Sequence, residues 1–383
     1  MVGSMLYEIK KAVQAFKRPG IDTTPWKMVR NVAPYYLPGD LNVSAPLTLY
    51  WSINSVCNLR CKMCDVGMMN TEGMFFKNLR IDKKLHEIDL DVFKRVIDEV
   101  HGDRPFIAIN STEPLMYKPL ALAVEHCTRR GLKTGVTTGA YALAKQADAL
   151  AEAGLSRLSV SMDGPPDVHN HIRGRKDSFE QAYAGVEAFD HACRRLGRKA
   201  EIYINCTITN MNHNRLVDFY EAIRPLPATN VNFNYMWFID PATAAEHNAL
   251  YGDRFEVSAS CYSEWIDPLA VDIDALADQI DQLKNQPRVH FSPIFSREEL
   301  KRYFHKPNEF VNPAGKCLAT WFFLQVLADG NVIVYTRCHT RPMGNVNTQS
   351  IAEIWNGPEV KRWRSFIRDV GKMPMCKRCD LVY

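Results

Sequence analysis

Three cysteines at Cys57-x3-Cys61-x2-Cys64 constrain this chain more than any other feature. They directly follow Leu47-Thr48-Leu49-Tyr50-Trp51-Ser52-Ile53, an apolar, β-prone run, so the pattern reads as a strand that delivers a cysteine loop. Three thiolates in this arrangement can hold three irons of a [4Fe–4S] cube and leave the fourth without a protein ligand, open to a substrate or cofactor. Structural zinc ordinarily takes four ligands, and no fourth Cys or His stands beside this triad. Eleven cysteines are an odd number, which argues against complete disulfide pairing. The first thirty residues lack the apolar stretch and cleavage site of a secretory signal, and no apolar run of about 18 residues occurs, so a cytoplasmic, reducing location is expected.

A second group, Cys317-x20-Cys338-x37-Cys376-x2-Cys379, closes the chain. Residues 322–335 alternate in polarity around Asp329-Gly330-Asn331, which predicts a β-hairpin with Cys317 and Cys338 near its outer ends. Four thiolates brought together in this way suit either an iron–sulfur cluster or tetrahedral zinc. Cys127, Cys193 and Cys206 sit singly in helical or strand patterns and read as small buried hydrophobes; Cys261 is placed with them. The 383 residues, 46% hydrophobic and 23% charged, can build one large α/β domain and an appendage, and exclude a disordered chain. Residues 1–45 and 301–383 are net basic around a net acidic middle, and the overall charge of +4 is too small to make nucleic acid the expected partner.

The cysteine loop behind a strand resembles the radical S-adenosylmethionine (radical SAM) superfamily. The resemblance implies an α/β fold, a partial (β/α)6 TIM-like barrel, in which the open iron chelates the amino and carboxylate groups of SAM. Reductive cleavage of the S–C5′ bond then yields a 5′-deoxyadenosyl radical that takes hydrogen from a substrate. Met63, before the third cysteine, is implied to lie against the adenine.

The βαβ spacing expected of such a barrel continues down the chain. Residues 91–100 read as a helix, Phe106–Ile109 as a strand, 120–130 as a helix, 132–139 as a strand, and 141–153 as a helix. Strands follow at 158–164, 201–209 and 230–238, with a helix at 216–223 between the last two. The second strand ends in Asn110-Ser111-Thr112-Glu113-Pro114. The family carries Gly-Gly-Glu-Pro there, facing the SAM amino group. Glu113 and Pro114 match, whereas Ser111 and Thr112 replace glycines that allow unusual φ and close approach. The segment Ser161-Met162-Asp163-Gly164-Pro165 with His169 and Arg173 is similar to the peptide-modifying branch of the family. The similarity implies that Ser161 bonds SAM and that the Arg173 guanidinium pairs with its carboxylate. Asn232, Asn234, Tyr235 and Trp237 on the sixth strand have some side chains facing the barrel mouth, in a register that alternation alone does not determine.

The tail resembles the SPASM or twitch extension of these enzymes, a hairpin and helix whose four cysteines are implied to bind one auxiliary [4Fe–4S] cluster that accepts an electron from a substrate radical. His339 follows Cys338, where some relatives carry an Asp that takes the substrate proton; it reads as a candidate catalytic base or, more plainly, as an exposed histidine of the hairpin. The expected organisation is an N-terminal helix and extended arm (1–45), the radical SAM barrel (46–238), a helical bridge or lid (239–316) and the cluster-binding tail (317–383). Met5–Phe16 reads as a lysine-rich amphipathic helix that docks on the barrel or touches an anionic membrane. An arm of this length is too short for a leader-binding domain, which weakens a peptide substrate relative to a small molecule. The implied reductant is a flavodoxin or ferredoxin. Net oxidation is the leading reaction, with epimerisation and carbon–carbon or carbon–sulfur bond formation left open. The rival reading is a non-catalytic iron–sulfur or zinc scaffold, motivated by Ser111 and Thr112.

Overall fold

A computed structural model of the protein describes residues 24–37, 39–80, 84–313, 316–379 and 381. Seven strands run parallel in chain order: β1 (Thr48–Trp51), β2 (Phe106–Ile109), β3 (Thr134–Thr138), β4 (Arg157–Ser161), β5 (Glu201–Ile208), β6 (Asn230–Tyr235) and β7 (Val289–Phe291). Strand β8 (Phe323–Val326) joins the other side of β1 in parallel, followed by antiparallel β9 (Asn331–Ile333) and β10 (Gly344–Asn345). The sheet therefore ends at β10 and β7 without closing, as a partial barrel does.

Alternation along these strands separates two environments. Leu49, Trp51, Ile107, Ile109, Val136, Leu158, Val160, Ile204, Val231 and Phe233 are buried on the outer face. Several helices cover that face; the helices of the described residues are α1 (Pro25–Tyr36), α2 (Met74–Leu79), α3 (Leu90–Val100), α4 (Leu120–Arg129), α5 (Ala147–Ala153), α6 (Pro166–Arg173), α7 (Ser178–Arg195), α8 (Leu216–Ile223), α9 (Pro241–Phe255), α10 (Ile273–Leu283), α11 (Arg297–His305), α12 (Ala319–Phe322), α13 (Ile351–Trp355) and α14 (Pro358–Val370). In α3, Phe93, Val96, Ile97 and Val100 form one buried stripe, the Asp89 carboxylate caps the first turn, and Phe93 meets Trp51 with ring centroids 4.6 Å apart. The intervening strand residues, among them Ala108, Thr137, Ser159, Asn205, Asn232 and Asn234, line interior cavities instead. A parallel strand buried on both faces is ordinarily apolar throughout, so this polar inner row marks a lined chamber. It also settles the register of β6: Asn232 and Asn234 face inward, and Phe233 packs outward on Phe219 of α8.

Three expectations change. The arm expected to be extended contains α1, whose first turn is capped by the Thr24 side chain and begins at Pro25. Buried Asn31 on α1 donates to the carbonyls of Ala45 and Trp321 at 2.7 and 2.9 Å, tying this helix to the start of both the barrel and the tail. The expected helix at Met5–Phe16, with its membrane contact, lies outside the described residues. Within the segment expected as a helical bridge, β7 extends the sheet beside β6. The expected hairpin is present, turning at Gly330 (φ +86°), but its first strand is hydrogen-bonded to β1 and prolongs the barrel sheet. Among the described residues, no helix is long and apolar enough to cross a membrane.

Candidate active site

Cys57, Cys61 and Cys64 line one cavity of about 410 Å³ at the C-terminal ends of the strands. Backbone contacts shape their loop: the Arg60 and Lys62 N–H groups donate to the Arg173 and Ile172 carbonyls at 3.1 and 2.9 Å, along the end of α6. A Cβ at Gly67 would meet the Cys61 backbone nitrogen at 2.5 Å, so only glycine permits this return of the loop. The buried Asp65 carboxylate accepts from the N–H groups of Phe75 and Cys261 and from the Ser260 hydroxyl, pinning the loop to the chain beyond β6. Burial pushes the Cys57 and Cys64 thiols up to about 12 and about 11, reinforced by the neighbouring Cys61. Iron reverses that preference because it binds thiolate and displaces the proton.

The cavity wall carries every residue expected to face SAM: Met63, Ser111, Thr112, Glu113, Ser161 and Arg173. Ser111 adopts φ +84°, the left-handed region that favours glycine. The chain thus keeps a glycine-like conformation without the glycine, and the Ser111 hydroxyl accepts from buried Gln325 of β8 at 2.7 Å. The Thr112 hydroxyl donates to Asn54. Both Glu113 oxygens are occupied, one by the Thr138 hydroxyl (2.6 Å) and the Leu115 N–H, the other by the Gly139 N–H (2.9 Å). Glu113 therefore acts as a brace, although burial raises its pKa against those bonds. Arg173 is not a solitary cation awaiting a carboxylate. Its Nη2 pairs with Asp163 at 2.5 Å, its Nη1 lies 3.6 Å from Cys61 Sγ, and its Nε is buried without a partner among the described residues.

Cys317, Cys338, Cys376 and Cys379 line a second, small cavity with Val334, Trp363, Ile367 and Met375. Four thiols along one apolar wall are the donor set of a thiolate-ligated group, although among the described residues no three Cys, His, Asp or Glu side chains are grouped in a geometry that would hold a metal ion. Tyr335 and Arg337 line both this cavity and the larger one, so they separate the two groups of thiols. His339 is a correction: it is wholly buried and lines neither cavity. Its ring packs on Trp363 and Phe255 (centroids 4.4 and 4.8 Å), its Nδ1 accepts from the Arg341 N–H, and burial lowers its pKa to about 3. A neutral imidazole in an aromatic cluster fills space and takes no proton from substrate. Cys261 is buried as expected, yet it also lines the larger cavity, a position that its solitary place in the sequence did not signal.

Residues 51–223 match the Radical SAM superfamily and residues 317–380 match the SPASM iron–sulfur cluster-binding domain. The chain belongs to the radical SAM superfamily; it is an enzyme of that class, with SAM and a [4Fe–4S] cluster as cofactors and a SPASM domain for auxiliary iron–sulfur. It is 25% identical to the AdoMet-dependent heme synthase of Methanosarcina barkeri over 332 residues, covering 83% of this chain and 84% of that one. It is 29% identical to the GTP 3',8-cyclase of Campylobacter fetus over 179 residues, spanning about half (48%) of that protein. In structure it resembles Streptococcus suis SuiB bound to S-adenosylmethionine, with a TM-score of 0.58 at 14% identity, covering 98% of this chain and 82% of that one. It also resembles anSMEcpe with bound AdoMet, with a TM-score of 0.55 at 17% identity over 83% and 82% of the two chains. At these identities the likeness is one of fold.

Proposed function

We propose that this enzyme generates a substrate radical in the larger cavity and oxidises it by passing an electron to a group held by the tail cysteines. The observation that carries the reading is the shared wall: Tyr335 and Arg337 border both the chamber of Cys57, Cys61 and Cys64 and the pocket of Cys317, Cys338, Cys376 and Cys379. When bound, the clusters and SAM supply one-electron chemistry that cleaves the S–C5′ bond and abstracts hydrogen. Cys57, Cys61 and Cys64 would hold the cluster. Ser111 and Thr112 would present backbone to the amino group of SAM, Glu113 braces that turn, Met63 would face the adenine, Ser161 would bond the ribose or amino acid portion, and Arg173, already neutralising Asp163, would orient the carboxylate end. The aromatic wall of Tyr235, Trp237, Tyr303 and Tyr335 excludes water from a carbon radical.

The first substrate to test is a heme precursor, because the heme synthase aligns over most of both chains. The experiment incubates the reconstituted enzyme with the precursor deuterated at its side-chain carbons and analyses 5′-deoxyadenosine. Deuterium in the nucleoside supports abstraction from that precursor. Unlabelled nucleoside at saturating precursor excludes it.

A further inference from the structure

Among the described residues, two arginines and one carboxylate line the larger cavity. The carboxylate, Glu113, is saturated by the Thr138 hydroxyl and two N–H groups, and Arg173 is committed to Asp163. The second arginine, Arg337, stands where the wall is shared with the tail pocket. Its guanidinium lies 5.4 Å from the ring centroid of Trp237 and 5.8 Å from that of Phe75, and both rings line the larger cavity. Aromatic faces from α2 and from the chain after β6 thus back the charge. The backbone on either side of it is fixed as well. Buried Asn78 donates to the carbonyls of Thr336 and Cys338 at 2.9 and 3.4 Å, and the Thr336 N–H donates to the Gln325 side-chain oxygen at 2.9 Å. The Gln325 amide nitrogen donates in turn to the Ser111 hydroxyl. One glutamine of β8 therefore ties the segment carrying Arg337 to the turn expected to face SAM.

A fixed guanidinium on an aromatic wall, in a cavity whose one acid is already braced, selects for negative charge. Its planar fork matches a carboxylate, and a single fork suits that monoanion better than a phosphate dianion. We infer that Arg337 is a specificity-determining residue of the substrate site and that it takes a carboxylate of the substrate, placing the carbons beside that group between the SAM turn and the tail pocket. The contact is an ion pair, and no covalent bond forms or breaks at Arg337. This inference rests on the reading that the substrate is held in the larger cavity, and it names the group by which it is held.

The test uses the reconstituted holoprotein with SAM bound and two carboxylate probes, coproporphyrin III and the smaller 3-phenylpropionate, each beside its neutral amide. GTP is the phosphate probe. Porphyrin binding is followed by absorbance and that of the smaller probes by saturation-transfer NMR, on wild type, Arg337→Gln, Arg337→Lys and, as the control for net charge, Arg129→Gln on α4. Iron content and SAM affinity of each protein establish that the site is intact. In wild type and the control, an acid should bind about tenfold or more tighter than its amide; Arg337→Gln should lose that preference and Arg337→Lys should keep only part of it. The comparison of acid with amide on wild type needs no variant. Equal affinity for acid and amide, binding of neither acid, a preference that survives Arg337→Gln, or GTP bound through Arg337 more tightly than either acid overturns the assignment. Binding of 3-phenylpropionate through Arg337 without binding of coproporphyrin III supports the carboxylate site and contradicts a heme precursor as substrate.

Discussion

Arg173 Nη2 lies 2.5 Å from the wholly buried Asp163 carboxylate. Burial raises the Asp163 pKa against the pull of Arg173 and the Thr207 N–H, whereas for Arg173 the Asp163 charge outweighs burial and raises the guanidinium pKa, so Arg173 stays protonated. Asp163 is further held by the Thr207 N–H at 2.9 Å. The arginine thus joins β4, α6 and the cysteine loop through one side chain.

Arg173→Ala removes the counterion of a buried carboxylate and should cost about 3–5 kcal/mol of stability. The double change Asp163→Asn with Arg173→Gln should cost less, because no charge is stranded. Urea unfolding of the metal-free proteins checks the order. SAM affinity, measured on folded, cluster-loaded Arg173→Ala, should fall by about 1.5–3 kcal/mol. An alanine variant as stable as wild type would show that the pair is solvated.

Ser111 gives a second test through its positive φ. Ser111→Gly and Ser111→Ala both lose the hydroxyl that accepts from Gln325, but only glycine relieves the left-handed backbone. The glycine variant should be the more stable of the two by about 1 kcal/mol, with SAM affinity preserved. Equal stabilities measured by thermal unfolding would mean that the conformation carries no strain.

How much of this site was legible follows from where the partners lie in the chain. The three cysteines, Glu113, Ser161 and Arg173 belong to local patterns, and all of them line the larger cavity. Strand β2 and helix α8 begin and end where periodicity places them. What escaped depends on contacts between distant segments. Gln325 reaches Ser111 only because β8 pairs with β1. His339 is enclosed by Phe255 and Trp363, from two helices far apart in sequence, and nothing beside Cys338 reveals that. Helix α1 was hidden by Pro25 and Pro34, which read as an extended arm although proline suits a first helical turn.

His169 links the same network to pH. Its Nδ1 accepts from the Asp163 N–H at 3.0 Å, and burial, with the nearby Arg173 charge, lowers its pKa well below 6.5. As pH falls below 6.5 the unfolded chain takes up a proton that the folded chain refuses, so this residue's contribution is intact above 6.5 and lost progressively below it. Wild type should lose about 1.4 kcal/mol per pH unit more than His169→Gln between pH 6 and about 5. Parallel pH profiles of unfolding free energy for the two proteins would show that His169 titrates freely.

The tail thiols should be separable from SAM cleavage. Cys376→Ala with Cys379→Ala should retain dithionite-driven 5′-deoxyadenosine formation and lose substrate oxidation, because those thiols line their own cavity. Circular dichroism and SAM affinity on the same variant establish that the shared wall at Tyr335 and Arg337 is intact. A folded, SAM-binding variant that still oxidises substrate would remove the tail from the reaction.

The central claim is that Cys57, Cys61 and Cys64 support reductive cleavage of SAM. The direct measurement is 5′-deoxyadenosine and methionine formed by anaerobically reconstituted protein with SAM and dithionite, beside the variant with all three cysteines changed to alanine. The account predicts equimolar products from wild type, none from the variant, and the tail iron retained in both. An iron-loaded, SAM-binding wild type that yields no 5′-deoxyadenosine, or a triple variant that yields as much as wild type, contradicts it.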